Sequence, residues 1–213
     1  MFESKKKIRI AILDNATRWQ GIIEEPACDF AVLNHGMICK EIINCYSHDN
    51  RFDMIKVFKG KSLKCSIDKI EHGIYRGVKR CDKIINLSLG SVCEKDYKRL
   101  DEICKFARDN ETIIVAGVSN SGDFTMPAQS ENVIGVDVND NFQNNKYTWN
   151  DERRIFEASG IHKLFFGKTY YTPPCSSFAV PTIVAEIANI IKGKGAESFA
   201  EIREALINSA DKY

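Results

Sequence analysis

Four residues that together can cleave an acyl bond occur at the ends of predicted strands and helices. Asp14 ends an apolar run, His35 precedes a segment with helical spacing, Asn120 follows another apolar run, and Ser177 precedes a long apolar segment. A serine hydroxyl can attack a carbonyl carbon, an imidazole can take up its proton, and a carboxylate can orient that imidazole. A carboxamide with a backbone N–H can bind the resulting oxyanion. The set therefore indicates serine-hydrolase chemistry.

Each of these residues also has a simpler structural interpretation. Asp14 could cap a turn, His35 could be a polar residue at a helix start, and Asn120 could belong to a turn. Ser176 and Ser177 could both be helix N-caps, and Ser176 is the alternative nucleophile. Histidine also occurs outside this set, as His48, His72 and His162, so its presence alone does not indicate catalysis. The joint occurrence and order of the four residues favour the catalytic interpretation.

The segments that would position these residues alternate between short buried strands and longer helices. Strands are predicted over 8–13, 52–58, 83–89, 112–118 and 133–138, and helices over 35–46, 67–78, 97–107, 177–191 and 199–210. This alternation predicts a three-layer α/β/α fold with a mainly parallel central sheet, built as a single domain over residues 1–213. The stretch 139–172 lacks a helical period and is expected to form hairpins at the sheet edge.

Six segments resemble, in the same order, motifs of the subtilases, the subtilisin-like serine peptidases. They are Ile8–Asp14 (first strand and aspartate), His35-Gly36 (start of H-G-T-H), Ile85–Gly90 ("INMSLG"), Ile113–Gly122 ("VVVAAAGNEG"), Met126–Ala128 with Asn132–Val136 ("YPA…NVIAVGA") and Cys175–Pro181 (G-T-S-M-A-S-P). The resemblance implies a subtilisin-like fold and a serine endopeptidase with a triad of Asp14, His35 and Ser177. Asn120 would hold the oxyanion.

The resemblance also implies that an extended peptide or protein substrate lies along the ends of two strands. The substrate-binding residues would be Ser88, Leu89, Gly90, Ala116, Gly117, Val118 and Ser119. Because the first predicted strand begins at residue 8, we expect no propeptide before it. A small subtilase without a propeptide resembles dedicated processing peptidases, such as those that trim leader peptides. Either the domain folds unaided or a partner completes it, so a protein partner or homo-oligomer stays open.

The sequence departs from the family pattern near the expected site. The family's D-[ST]-G reads Asp14-Asn15-Ala16, Met37 and Ile38 replace the last two residues of H-G-T-H, and Ser119 and Cys175 replace glycines. The 21-residue separation of His35 from Asp14 and the loop 120–127 are also short for the family. One alternative is therefore an impaired pseudo-peptidase that binds peptides or serves as one subunit of a heteromer. A weaker alternative is an unrelated doubly wound ligand-binding domain, which no glycine-rich phosphate loop supports.

The cysteines suggest neither a metal site nor a disulfide framework. Eight are present, none forms a C-x-x-C pair, and reduced thiols packed mostly in the core are expected. His35 and Cys39 are spaced i, i+4, but two ligands alone make a weak metal site, so no metal and no cofactor are expected. Cys175 could be a reactive thiol beside the nucleophile, although a tight structural role is the favoured interpretation.

Composition excludes several classes of partner. The chain has 213 residues and a formal net charge of +1, so no strong field favours nucleic acid, and the basic run at 5–7 is expected to be solvated. No apolar run approaches the roughly 18–20 residues of a membrane span, and the N-terminus lacks a signal-peptide pattern. We therefore expect a cytoplasmic protein without membrane contact.

The pairs Phe165-Phe166 and Tyr170-Tyr171 could line a substrate groove or pack a hairpin.

Overall fold

A computed structural model describes residues 7–14, 35–58, 65–167 and 169–211 of the chain. Lys5, Lys6, Cys28 and the Asn15-Ala16 pair of the first motif lie outside the described residues. The elements follow one another as β1 (Arg9–Asp14), α1 (His35–Tyr46), β2 (Arg51–Lys56), α2 (Ile67–Lys79), β3 (Ile84–Leu87), α3 (Glu94–Asp109), β4 (Ile113–Gly117), β5 (Ile134–Val138), β6 (Tyr147–Asn150), β7 (Ile155–Ala158), β8 (Lys163–Phe165), β9 (Thr169–Tyr171), α4 (Ser176–Lys194) and α5 (Phe199–Ser209).

A seven-stranded, mainly parallel sheet forms the centre, in the order β2-β1-β3-β4-β5-β7-β6. All neighbouring pairs are parallel except the β6–β7 pair. Alternate residues of the strands face opposite helical layers, as the period of two requires. Ile10 and Ile12 pack with α1, α4 and α5, whereas Ala11 and Leu13 pack with α2 and α3. The predicted three-layer α/β/α architecture is confirmed.

The predicted elements are present with small shifts at their ends. The predicted helix 35–46 coincides with α1, while α3 starts three residues before its predicted start at 97 and α4 starts at Ser176. Apolar periodicity marks the buried face of a helix and does not fix its terminal residues. Among the described helices, none has the length and apolarity needed to cross a bilayer.

The stretch 139–172 forms two hairpins, but only the first extends the central sheet. Strand β7 pairs in parallel with β5, and β6 adds an antiparallel edge. The expectation of an edge position is wrong for β8 and β9, which form a separate two-stranded sheet. Two hydrogen bonds close the base of this hairpin: the His162 N–H donates to Thr172 Oγ1 at 2.8 Å, and the Thr172 N–H donates to the His162 carbonyl at 3.1 Å. The hairpin leaves Phe165 and Tyr171 exposed.

The expectation that most cysteines are core residues is wrong for the described part of the chain. All seven described cysteines are free thiols, but only Cys39 and Cys104 are buried. Cys45 lies on the exposed side of α1, Cys81 follows the end of α2 and Cys93 precedes α3. Helix boundaries and solvent-facing helix positions therefore hold thiols that a composition argument assigns to the core.

A buried histidine ties the two helices that position the site. His162 Nε2 lies 3.0 Å from the Phe178 carbonyl in α4 and 3.1 Å from the Ser159 carbonyl. Since carbonyl oxygens only accept, Nε2 carries the hydrogen, and Nδ1 accepts from the hydroxyl of Tyr46 in α1 at 3.0 Å. Burial lowers the pKa of His162 from 6.5 to about 4. The imidazole is therefore neutral at pH 7 and links the end of α1 to the start of α4.

We expect Gly135→Ala to destabilise the fold, because a Cβ there would lie 2.1 Å from the Ala128 carbonyl oxygen. Overpacking against backbone costs about 1–3 kcal/mol, measurable by urea denaturation. The matched control is Gly193→Ala in α4, where a Cβ would meet nothing within 4 Å. That variant should gain up to about 1 kcal/mol from helix propensity. Equal effects of the two substitutions would contradict this packing.

We expect acid to weaken the fold through His162. Its pKa is depressed on folding, so its contribution is present above pH 6.5 and is lost as pH falls towards about 4. Because proton binding is linked to unfolding, the free energy of unfolding should fall by about 2 kcal/mol between pH 7 and pH 5. In His162→Asn, the free energy of unfolding measured in urea should fall less over this interval than in the wild type. Identical pH slopes would show that His162 is not buried in its neutral form.

Candidate active site

Asp14 and His35 meet at the carboxyl end of β1. Asp14 is the last residue of the strand and His35 is the first residue of α1, and the His35 Nδ1 lies 2.7 Å from Asp14 Oδ2. Both side chains are largely shielded, with exposed fractions of 7% for Asp14 and 18% for His35. A carboxylate only accepts, so Nδ1 carries a hydrogen and Nε2 is the acceptor of a neutral ring. This is the tautomer that a general base requires.

Gly36 allows this approach of helix to strand. A Cβ at Gly36 would lie 3.0 Å from the Asp14 Cβ and 2.9 Å from the Met54 methyl carbon. Any larger residue would push the first turn of α1 away from β1. The glycine that follows His35 therefore allows the first turn of α1 to lie against the end of β1.

The environment of His35 acts on its pKa in two directions. Burial lowers the pKa, whereas Coulombic interactions with Cys39 and Asp14, together with hydrogen bonds to both, raise it, and the balance lies well above the usual value of 6.5. The ring of Phe178 also packs on the imidazole, with 4.8 Å between ring centroids. The carboxylate therefore stabilises the imidazolium form, as an imidazole that takes up a proton requires.

Ser177 completes a hydrogen-bond chain that starts at Asp14. It is the second residue of α4, and its Oγ lies 3.0 Å from His35 Nε2. Ser176 points elsewhere, since its Oγ donates to the Val118 carbonyl at 2.7 Å. The N-cap interpretation of both serines is wrong, because the N-cap residue is Cys175 and no side chain caps the helix there. Of the two adjacent hydroxyls, only that of Ser177 faces the imidazole.

Asn120 lies beside the start of α4. Its Oδ1 accepts a hydrogen bond from the Ser176 N–H at 2.9 Å. Because a backbone N–H must face an oxygen, this bond fixes the orientation of the amide and leaves the Nδ2 donors for another acceptor. No acceptor for the Ser177 N–H is found within the described part of the chain. The Ser177 N–H and the Asn120 Nδ2 group are therefore two donors at the start of α4.

Pro181 changes the hydrogen bonding of the residue that carries this hydroxyl. In a regular helix the Ser177 carbonyl would accept from the N–H of residue 181, but proline has none. The Ser88 hydroxyl donates to that carbonyl instead, at 3.0 Å, and Asn86 Nδ2 donates to Ser88 Oγ at 3.0 Å. A polar relay from β3 thus holds the backbone carbonyl of Ser177 that Pro181 leaves without its helical donor.

The predicted substrate-binding residues divide into two groups. Ser88, Leu89, Gly90 and Ser119 retain exposed surface beyond the ends of β3 and β4. Ala116, Gly117 and Val118 are buried, and the first two belong to β4. Gly117 has a different role, because a Cβ there would lie 3.2 Å from Val180 and 3.3 Å from Ser176 Oγ. Its lack of a side chain lets α4 approach the sheet.

Two cysteines lie next to the site, as their positions beside His35 and Ser177 in the sequence indicated. Cys39 Sγ lies 3.6 Å from His35 Nδ1, and Cys175 Sγ lies 3.1 Å from Ser177 Oγ. Burial is the largest influence on Cys39 and raises its pKa, so its thiol is neutral at pH 7. The i, i+4 spacing signalled that Cys39 lies near His35, but not that Asp14 converges on the same nitrogen. Ile38, at the position of the family's second histidine, is a core residue with 3% exposure.

Solved structures of proteases are similar to this chain over nearly all of its length. The prenylagaramide maturation protease PagA has a TM-score of 0.69 and 20% identity, with 97% of this chain and 84% of that chain covered. The self-cleaved protease domain of PatA has a TM-score of 0.71 and 21% identity, with 97% of this chain and 90% of that domain covered. The nisin leader peptidase NisP from Lactococcus lactis has a TM-score of 0.71 and 15% identity, with 99% of this chain and 84% of NisP covered. No curated protein sequence matches the chain.

A family comparison by sequence gives a different match. The model described as the Stanniocalcin family matches residues 19–133. This span begins after β1 and ends before β5, so it divides one continuous sheet and excludes both Asp14 and Ser177. The structural similarities instead cover 97–99% of this chain. We therefore conclude that the chain has the three-layer α/β/α fold of the subtilisin-like leader-peptide-processing proteases.

Proposed function

We propose that this chain is a subtilisin-like serine endopeptidase with Ser177 as nucleophile. The observation that carries the proposal is the continuous hydrogen-bond chain from Asp14 through His35 to Ser177, with bonds of 2.7 and 3.0 Å. Both distances lie within the range that proton transfer in a catalytic triad requires. The departures from the family motifs leave the hydrogen bonds from Asp14 to Ser177 intact. This favours an active peptidase over a peptide-binding pseudo-peptidase.

In the proposed reaction, Ser177 Oγ attacks the carbonyl carbon of a peptide bond while His35 Nε2 takes up the hydroxyl proton. Asp14 keeps the hydrogen on Nδ1 and stabilises the imidazolium. His35 then gives the proton to the leaving amine, and the Ser177 ester remains. Water attacks that ester with His35 again as the base, and Ser177 is released.

The oxyanion of each tetrahedral intermediate would be held by two donors, the Ser177 N–H and Asn120 Nδ2. The bond from the Ser176 N–H to Asn120 Oδ1 supports this role, because it holds the carboxamide in place before substrate binds. Fixed donors need no reorganisation during the reaction, which makes such groups effective in catalysis. The amide groups at the start of α4 add partial positive charge in the same region.

We infer that the substrate is an extended segment of a precursor peptide. Ser88, Leu89, Gly90 and Ser119 retain exposed surface beyond two neighbouring parallel strands, where an extended chain could add hydrogen bonds. Three similar structures are described as maturation proteases or leader peptidases, which supports removal of a leader from a peptide product as the reaction.

A fluorophosphonate probe, which reacts with activated serine hydroxyls, tests the nucleophile. We expect wild-type protein to be labelled and Ser177→Ala to remain unlabelled, because only the Ser177 hydroxyl faces His35. Ser176→Ala is the matched control and should retain labelling, since its hydroxyl bonds to Val118. Mass spectrometry of the intact chain measures the adduct. An unlabelled wild-type chain, alone and with candidate precursor peptides, would favour the pseudo-peptidase alternative.

The rate of phosphonylation also tests Asn120, because a negatively charged oxygen develops on phosphorus during the attack. We expect Asn120→Ala to lower the second-order rate constant by about 10²–10³. Ser121→Ala, one residue further along the same exposed loop, should leave the constant within about threefold of wild type. Equal rates for Asn120→Ala and wild type would remove Asn120 from the oxyanion site.

A further inference from the structure

Asp14, His35 and Cys39 form a compact group of potential metal ligands, which we call the Asp14–His35–Cys39 cluster. Within the described part of the chain, their carboxylate oxygen, ring nitrogen and sulfur atoms all lie within 4.8 Å of one another. The three ligands come from β1, the first residue of α1 and one turn further along α1. The spacing of His35 and Cys39 alone offers two ligands, and the fold supplies the third.

Two of the three distances between ligand atoms fit a tetrahedral zinc ion after a small movement. Zn–S and Zn–N bonds of about 2.3 and 2.0 Å at a tetrahedral angle place sulfur and nitrogen about 3.5 Å apart. Cys39 Sγ and His35 Nδ1 are already 3.6 Å apart. Two ligand atoms at about 2.0 Å from the ion would be about 3.3 Å apart. Since Asp14 Oδ2 and His35 Nδ1 are 2.7 Å apart, the carboxylate must retreat by roughly half an ångström.

The chemistry of the ligands selects the class of ion. A thiolate and an imidazole are soft or borderline ligands that suit Zn²⁺, whereas Mg²⁺ and Ca²⁺ take sets of oxygen atoms. Three protein ligands leave one tetrahedral position for water. The ion would replace an existing hydrogen bond between His35 and Asp14, so binding should be weaker than at a structural zinc site and reversible by chelators.

We propose that the Asp14–His35–Cys39 cluster is an inhibitory Zn²⁺ site that switches off the base of the proposed peptidase. The inhibition rests on the proposed function, whereas the metal site itself does not. It provides a route by which the zinc concentration around the protein could control precursor processing.

Inhibition follows from where the proton on His35 must go. The ion takes the position of the hydrogen on Nδ1, and the neutral ring then carries its hydrogen on Nε2. A protonated Nε2 cannot accept the hydrogen of Ser177, which lies 3.0 Å away. Cys39 releases its thiol proton to solvent when it binds the ion. No covalent bond of the protein, including the Ser177 hydroxyl, is otherwise changed.

Direct binding of Zn²⁺ is measured first, in the Ser177→Ala background with thiols reduced by a phosphine. Competition with a chromophoric chelator should give one tight site per chain, and adding Cys39→Ser should weaken it at least ~10-fold. The matched control, Cys175→Ser, removes the other thiol near Ser177 and should leave the affinity unchanged. Cobalt(II) in place of zinc should show a thiolate charge-transfer band that Cys39→Ser abolishes. Binding that survives Cys39→Ser, or that Cys175→Ser removes, would overturn the site.

Inhibition is measured next, as the rate of fluorophosphonate labelling with and without Zn²⁺. Zinc should suppress labelling of wild type and of Cys175→Ser, a chelator should restore it, and labelling of Cys39→Ser should be insensitive to zinc. Zinc that binds Ser177→Ala without slowing wild-type labelling would refute the inhibitory role. If wild type is unlabelled even without zinc, the proposed function fails, and the binding measurement alone still decides the metal site.

Discussion

The hydrogen-bond chain from Asp14 through His35 to Ser177 imposes the main constraint on this fold. Its members belong to β1, α1 and α4, and 142 positions separate His35 from Ser177. Bonds of 2.7 and 3.0 Å tolerate only small errors in position, so the first turns of two helices must meet at the carboxyl end of one strand. A parallel sheet suits this need, because its strand ends and the helix starts that follow them gather at one edge.

Small residues and one proline allow the helices to reach those positions. Gly36 brings α1 against Asp14, and Gly117 brings α4 against β4, since a Cβ at either position would crowd its neighbours. Pro181 frees the Ser177 carbonyl for the Ser88 hydroxyl, which fixes α4 from the side of β3. Behind the site, the neutral imidazole of His162 joins Tyr46 of α1 to Phe178 of α4. The same packing places the Cys39 thiol against His35, and so provides the cluster that a zinc ion could occupy.

The sequence predicted the architecture well because buried strands and amphipathic helices have distinct periods. It also indicated which residues lie at strand ends, and Asp14, His35, Ser177 and Asn120 do converge at one edge of the sheet. Spacing could not reveal contacts that depend on side-chain direction. The opposite orientations of Ser176 and Ser177, the burial of Ala116 and Gly117, and the departure of β8 and β9 from the sheet all depend on tertiary packing. The exposed cysteines at helix ends were missed for the same reason, since composition carries no information about position.

The most direct test of the account is a crystal structure of the chain after reaction with a fluorophosphonate. We expect a covalent bond between phosphorus and Ser177 Oγ, with the phosphonyl oxygen within hydrogen-bond distance of both the Ser177 N–H and Asn120 Nδ2. The imidazole of His35 should remain bonded to Asp14 in the adduct. An adduct on Ser176 or Cys175, or a phosphonyl oxygen directed away from Asn120, would contradict it.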